Sequence, residues 1–227
     1  MIRILFILLF SVITFIIPDQ VNAQKKINSK KTEKSIILKP ARLITRQAAG
    51  VSIKGERQIT KCEYGKAVTF NGSDQAIFLE SVPVNTLTQF TVEVIFCPAS
   101  GGNFEQRFFH WGEITGGRLL LELRATKTDW YFDAFIKTAT QQKTLIDPKL
   151  LHPLDQCYHL AFVIDDGMLK TFVNGIKELE GQINPEPFSG GKISLGVRQN
   201  EVSWFKGTIY KIRITKKALK PEEFLTF

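Results

Sequence analysis

Past Ile17, no stretch of this 227-residue chain is long and apolar enough to span a bilayer, which takes about 20 such residues. No cysteine follows the N-terminal apolar run, which argues against a bacterial lipoprotein anchor. Helical periodicity is almost absent, methionine occurs twice, and no internal repeat or inter-domain linker is visible. The lysines and arginines form no basic stripe carrying recognisable motif residues, so a nucleic-acid partner is not expected. Only three cysteines are present, Cys62, Cys97 and Cys157, and no cofactor is expected.

The N-terminus sets the compartment. "MIRILFILLFSVITFII" places Arg3 ahead of an apolar run, followed by Pro18 and the small-residue exit "VNA". This is the layout of a secretory signal peptide, here residues 1–23 with cleavage after Ala23. "QKKINSKKTEKS", residues 24–35, has five lysines and one glutamate, which is +4 of the chain's net +8. It has no apolar periodicity and is expected to be a solvated tether. Residues 36–227 remain as one domain, mildly basic and large enough to bury its own core.

That domain reads as strand after strand. "KAVTF", "AIFLES", "FTVEVIF", "RLLLELRA", "WYFDAFIK", "YHLAFVI", "MLKTFV", "KISLGV" and "FKGTIYKIRIT" are rich in β-branched and aromatic residues. Turn signals separate them, among them Asn71-Gly72, Asp166-Gly167 and Asn174-Gly175. The expected helix content is a single late turn in "KPEEF", where Pro221 suits a first helical position. Many short strands with almost no helix predict an all-β sandwich or barrel.

"CYHLAFVIDDGMLKTFVNGIK", Cys157–Lys177, reads as a meander. Alternation puts Tyr158, Leu160, Phe162 and Ile164 on one apolar face, with Cys157, His159 and Ala161 on the other. The Cys157–His159 pair raises the question of a thiol nucleophile beside its base.

This meander resembles the corresponding strand–turn–strand of laminin G-like domains. "ISLGVRQNEVSWFKGTIYKIRITKKALKPEEF" resembles that family's ending, and "GKAVTFNGSDQAIFL" followed by "FTVEVIFCP" its first half. The resemblance runs from about Ser35 to the C-terminus. It implies a two-sheet antiparallel jelly roll of the concanavalin A-like type. It also implies a domain that binds glycan or protein, with glycosidases among the wider fold's members.

The resemblance extends distantly to pentraxins, whose disulfide joins two of these strands at the places held here by Glu93 and Ala161. Neither is cysteine. Paired residues of antiparallel neighbours keep a constant number sum, however, so the same ladder sets Cys97 opposite Cys157. A Cys97–Cys157 bridge is therefore expected, with His159 a spectator rather than a base. Cys62 is left over, as a buried free thiol or a handle for an intermolecular bridge.

The pentraxin calcium positions fall here on Gly116, Gly117, Val197, Arg198, Gln199 and Asn200, a set short of carboxylates and containing a repelling cation. No metal is expected there. Asp165, Asp166, Asn200 and Glu201 offer oxygens at the rim, but Asp165-Asp166-Gly167 is explained by a hairpin turn.

Glycosidases of this fold set carboxylates at alternating positions of one strand, and "VEV", "LEL" and "FDA" each carry one. If Thr126–Asp129 forms a turn, Glu122 and Asp133 oppose each other at a spacing compatible with a retaining glycosidase, with Arg124 on the same face. A solvated charged sheet face explains the same residues.

The aromatics suited to stacking are Trp111, Trp130, Tyr131 and Trp204. The rim site chosen from the sequence is Trp111, Glu113, Arg198, Asn200 and Trp204. The leading expectation is a secreted, non-catalytic module recognising glycan or an extracellular protein. The alternatives are a glycoside hydrolase using Glu122 and Asp133, or an adhesive protein whose lysine-rich segment meets an anionic surface.

Overall fold

The computed structural model describes residues 35–56, 58–62, 64–80, 87–184, 186–188 and 190–226. The expected signal peptide and nearly all of the lysine-rich segment lie outside the described residues, as does the side chain of Cys62.

Two eight-stranded antiparallel sheets face each other in a jelly-roll sandwich. The first runs β14 (Ile176–Gln182), β13 (Met168–Val173), β12 (Tyr158–Asp165), β6 (Phe90–Pro98), β16 (Lys206–Thr215), β4 (Gly65–Asn71) and β3 (Gln58–Cys62), with β1 (Ile36–Leu38) also pairing with β16. The second runs β10 (Gln142–Ile146), β9 (Asp129–Lys137), β8 (Arg118–Ala125), β7 (Glu105–Gly112), β15 (Ile193–Leu195), β5 (Ala76–Leu79) and β2 (Val51–Lys54), with β11 (His152–Pro153) on β9.

Strand alternation builds the core between the sheets. Tyr158, Leu160, Phe162 and Ile164 of β12 point into it, as do Leu119, Leu121 and Leu123 of β8. The turns that join these strands are set by their residues. Asp166-Gly167 and Asn174-Gly175 both take positive φ at both positions, as two-residue hairpins require. Asp165 bonds Lys170 at 2.8 Å beside the first of them.

The helix expectation needs a correction. Besides the late turn at Pro221–Glu223, a seven-residue helix α1 (Pro40–Arg46) packs against β2, β4 and β16. Proline in its first turn starts it without cost, because that N–H would have no helical partner. Ala41 and Ile44 enter the main core. The helix is too short for its periodicity to stand out in the sequence.

Cys97 and Cys157 form a disulfide, with Cα atoms 4.1 Å apart, next to the Phe96–Tyr158 pair at the end of the β6–β12 ladder whose register also pairs Glu93 with Ala161. Part of the outer face of this first sheet is covered by the chain itself. The C-terminal segment crosses it, seating Phe224 against Phe172, His159 and Ala161. Fully buried Glu93 accepts from His159 Nε2 at 3.0 Å and from the Leu225 amide at 2.6 Å, and pairs with Arg213. Burial alone would raise the Glu93 carboxyl; these three donors outweigh it and hold it below the usual range.

Candidate functional site

The second sheet keeps its outer face open, and register aligns its charges in rows. Arg107 of β7, Glu122 of β8, Asp133 of β9 and Ile146 of β10 stand side by side. The neighbouring row holds His110, Leu120, Phe135 and Thr144, and the row on the other side holds Glu105, Arg124 and Tyr131. A bulge between Arg107 and Phe109 makes this possible. The extra residue lets Phe108 and Phe109 both enter the core while Arg107 stays outward.

These side chains line a depression of about 200 Å³ floored by Leu120 and Phe135. Arg198, on the loop after β15, completes the wall. Arg124 ties the acids together: it contacts Asp133 Oδ2 at 2.5 Å, Glu105 Oε2 at 2.5 Å and Glu122 Oε2 at 3.6 Å. Arg107 Nε lies 3.0 Å from Glu122 Oε1, with its N–H poorly aligned, and Arg107 also pairs with Glu105.

Glu122 and Asp133 are 2 % and 3 % exposed. Burial pushes Glu122 up to about 7, against the pull of Arg107 and with a further push from Asp133. Asp133 is raised by burial as well, though Arg124 lowers it.

Among the described residues, nine buried side-chain polar atoms have no aligned hydrogen bond, and six belong to this depression. They are Nε of Arg107, Arg118 and Arg198, Nη1 of Arg124, Oε2 of Glu122 and Oδ1 of Asp133. Buried polar groups are nearly always satisfied in a folded protein, so this concentration singles the depression out as the candidate site.

A larger cavity, about 490 Å³, lies between α1, β4 and β16. Its cations Lys39, Arg42, Arg46 and Lys66 are exposed. No unpartnered buried atom among the described residues lines it. Size alone does not make it the better candidate.

The five residues chosen from the sequence do not share one surface. Trp111 is fully buried, packed edge-on against Phe90 and Phe188, so it offers no ring face to a ligand. A Cβ at Gly190, which sits at positive φ, would come within 2.7 Å of its indole nitrogen. Trp130 is core for the same reason. Glu113 is exposed on the β7–β8 turn, and Asn200 is exposed on the loop after β15. Trp204 is half-buried, with Lys54 Nζ 5.8 Å from its ring centroid.

Arg198 alone of the five enters the depression. The opposition of Glu122 and Asp133, and Arg124 on their face, are as the turn at Thr126–Asp129 requires. Arg107 and Arg118 were missed. Strand alternation from Leu119 would have placed Arg118 outward, but nothing in the sequence marks the bulge that orients Arg107. Among the described residues no group of three or more His, Cys, Asp or Glu is arranged to hold a metal ion.

The family model for the concanavalin A-like lectin/glucanases superfamily, of the laminin G type, matches residues 71–224. The chain belongs to this superfamily. No curated protein matches the chain. Among solved structures, one similar fold is domain 4 of the GH43 extracellular arabinanase from Geobacillus stearothermophilus, in complex with arabinotriose. Identity is 23%, the TM-score 0.60, and 76% of this chain and 85% of that one are covered. The heptameric SAP-like pentraxin of Limulus polyphemus is 16% identical with a TM-score of 0.52, covering 69% and 78%. The binding domain of botulinum neurotoxin DC, in complex with SialylT, is 9% identical with a TM-score of 0.56. There 76% of this chain covers 44% of the other. At these identities the likeness within the superfamily is one of fold.

Proposed function

We propose that the protein is a non-catalytic glycan-binding module acting outside the cytoplasm, and that sugar occupies the depression on β7, β8 and β9. The observation that carries this reading is the set of buried donors and acceptors left without aligned partners in an open, aromatic-bordered hollow. Sugar hydroxyls donate and accept at once, and so suit a site mixing guanidinium and carboxylate groups. Half-buried Tyr131 and Phe135 lie on the same face and supply apolar surface for a ring. The solved complex of a similar fold with arabinotriose supports the ligand class.

Secretion is part of the proposal: residues 1–23 act as a signal peptide, 24–35 as a tether and 36–227 as the module. The disulfide supports an oxidising compartment. No helix among the described residues is long and apolar enough to cross a membrane.

Hydrolysis is the second reading, favoured by the opposed Glu122 and Asp133 and by the near-neutral Glu122. Against it, one nitrogen of Arg124 contacts both carboxylates. A guanidinium sits where a scissile bond would need to lie.

The test is isothermal titration of purified protein against a panel of oligosaccharides, with reducing-end release assayed on the same panel. Binding with Kd between about 1 µM and 1 mM and no release is the expected result. Asp133→Asn weakens that binding at least severalfold. Release that disappears in Glu122→Gln overturns the reading in favour of a hydrolase.

A further inference from the structure

Four arginines line the depression, and they are not equivalent. Arg107 and Arg124 are tied to Glu105, Glu122 and Asp133. Arg118 and Arg198 have no carboxylate partner among the described residues. Arg118 Nη1 donates to the carbonyl oxygens of Thr115 and Gly116 at 3.1 and 2.9 Å, and its guanidinium lies 4.8 Å from the Phe135 ring centroid. Arg198 Nη2 donates to the Ile114 carbonyl at 3.0 Å. Both therefore grip the same β7–β8 turn through neutral dipoles, with their Nε atoms buried and unpartnered.

Two partly desolvated cations held together repel each other, and Glu122 offsets this only in part, since Arg118 is still lowered. Their effect reaches neighbouring groups. Burial lowers Arg118 and Arg198 lowers it further, while fully buried His110 is pushed down by burial and by Arg198, Arg118 and Arg107. The His110 ring has no freedom to change role: the Gln199 amide donates to its Nδ1 at 3.1 Å and its Nε2 donates to the Glu113 carbonyl at 3.1 Å. That arrangement is a neutral imidazole, so the histidine adds no charge to the wall.

We infer that Arg118 and Arg198 form an anion subsite within the depression, and that the sugar recognised there is acidic, bearing a carboxylate or sulfate group. This rests on the glycan-binding reading and narrows it. A planar guanidinium pairs with either oxyanion through paired N–H donors, and both side chains are half-exposed at the depression. Phe135 and Leu120 floor the hollow beneath the ring that carries the acid.

The experiment titrates the whole secreted protein with oligogalacturonide and with the same oligosaccharide methyl-esterified, which keeps shape and removes charge. A sulfated chondroitin oligosaccharide and its desulfated form make the second arm. At least tenfold tighter binding of the acidic member in one arm is expected, with affinity falling as salt is raised. The arm that shows it tells carboxylate from sulfate. Arg118→Gln and Arg198→Gln each remove most of that preference, and Arg198→Gln, in a loop, is the variant least able to disturb the sheet.

Equal binding of charged and neutral members overturns the anion subsite and leaves the glycan reading standing. Charge preference that survives in both variants overturns the residue assignment. If no saccharide of the functional panel or of either arm binds, the glycan reading falls, and the subsite with it.

Discussion

Burial and the guanidinium groups of Arg198, Arg118 and Arg107 hold His110 at about 4, against 6.5 for the free side chain. The sign follows from which state takes the proton. Between pH 6.5 and 4 the unfolded chain binds a proton that the folded one refuses, so His110 makes stability fall on acidification through that window and leaves it flat above. Glu122 works the other way. Its carboxyl is raised from 4.5 to about 7, so the folded state takes that proton first and stability falls as pH rises from 4.5 to 7. Asp133 has the sign of Glu122, while Glu93, held low, contributes stability that is lost in stronger acid. The two slopes near the depression overlap, each at most about 1.4 kcal/mol per pH unit. Single variants separate them. In urea titrations from pH 4.5 to 6.5, His110→Gln becomes less stable with rising pH relative to wild type, whereas Glu122→Gln becomes more stable relative to wild type. Parallel profiles for all three proteins would show that neither group is perturbed.

At the scale of elements, the ladder of β6 and β12 was legible because antiparallel pairing conserves the sum of residue numbers, whichever residues occupy it. Cys97 and Cys157 could thus be set opposite each other once the resemblance to pentraxins had supplied the Glu93–Ala161 pair. The bridge closes a separation of 60 residues, and chain entropy puts its contribution at about 4 kcal/mol. A Cys97→Ala/Cys157→Ala double variant is expected to lose up to that amount in urea unfolding. It should bind sugar as wild type does, because the depression is on the other sheet. Weakened binding in a still-folded variant would place the site on the wrong face.

Other elements were not legible, each for a local reason. The β7 bulge is one inserted residue, and "EQRFFHWG" alternates poorly whichever register is assumed. Helix α1 is two turns without a side-chain N-cap, too little to betray itself. The rim site was chosen on aromatic residues, but a large ring in a sandwich gains most by burial, which is where Trp111 and Trp130 went. The four arginines that line the depression lie on three separate segments, β7, β8 and the loop after β15, and only register and that loop bring them together.

For the molecule as a whole, the two sheets have different exteriors. The first is covered in part by the C-terminal segment, and the second carries the open charged depression. The folding unit is also larger than the family match. Residues before 71 supply β1, α1, β2, β3 and most of β4, and through them Leu38, Ala41, Ile44, Val68 and Phe70 of the main core. Phe70 is 6.1 Å, ring to ring, from Phe205, and Gly196, at positive φ, leaves the space its ring fills. Removing one buried aromatic costs about 3–5 kcal/mol, against a total of about 5–15 kcal/mol for a typical domain. A fragment beginning at Asn71 would lose all five side chains and uncover the hydrogen-bonding edges of β16 and β5. It should not reach a folded, monomeric state. A fragment beginning at Ser35 keeps the Ser35 Oγ–Thr215 Oγ1 contact at 2.9 Å and the β1–β16 ladder. Oxidised in the same way, it should match the melting temperature and sugar affinity of the full secreted chain. Circular dichroism melts of the two fragments decide the point: cooperative melting of the shorter one at the same temperature would mean that the N-terminal elements decorate the sandwich rather than complete it.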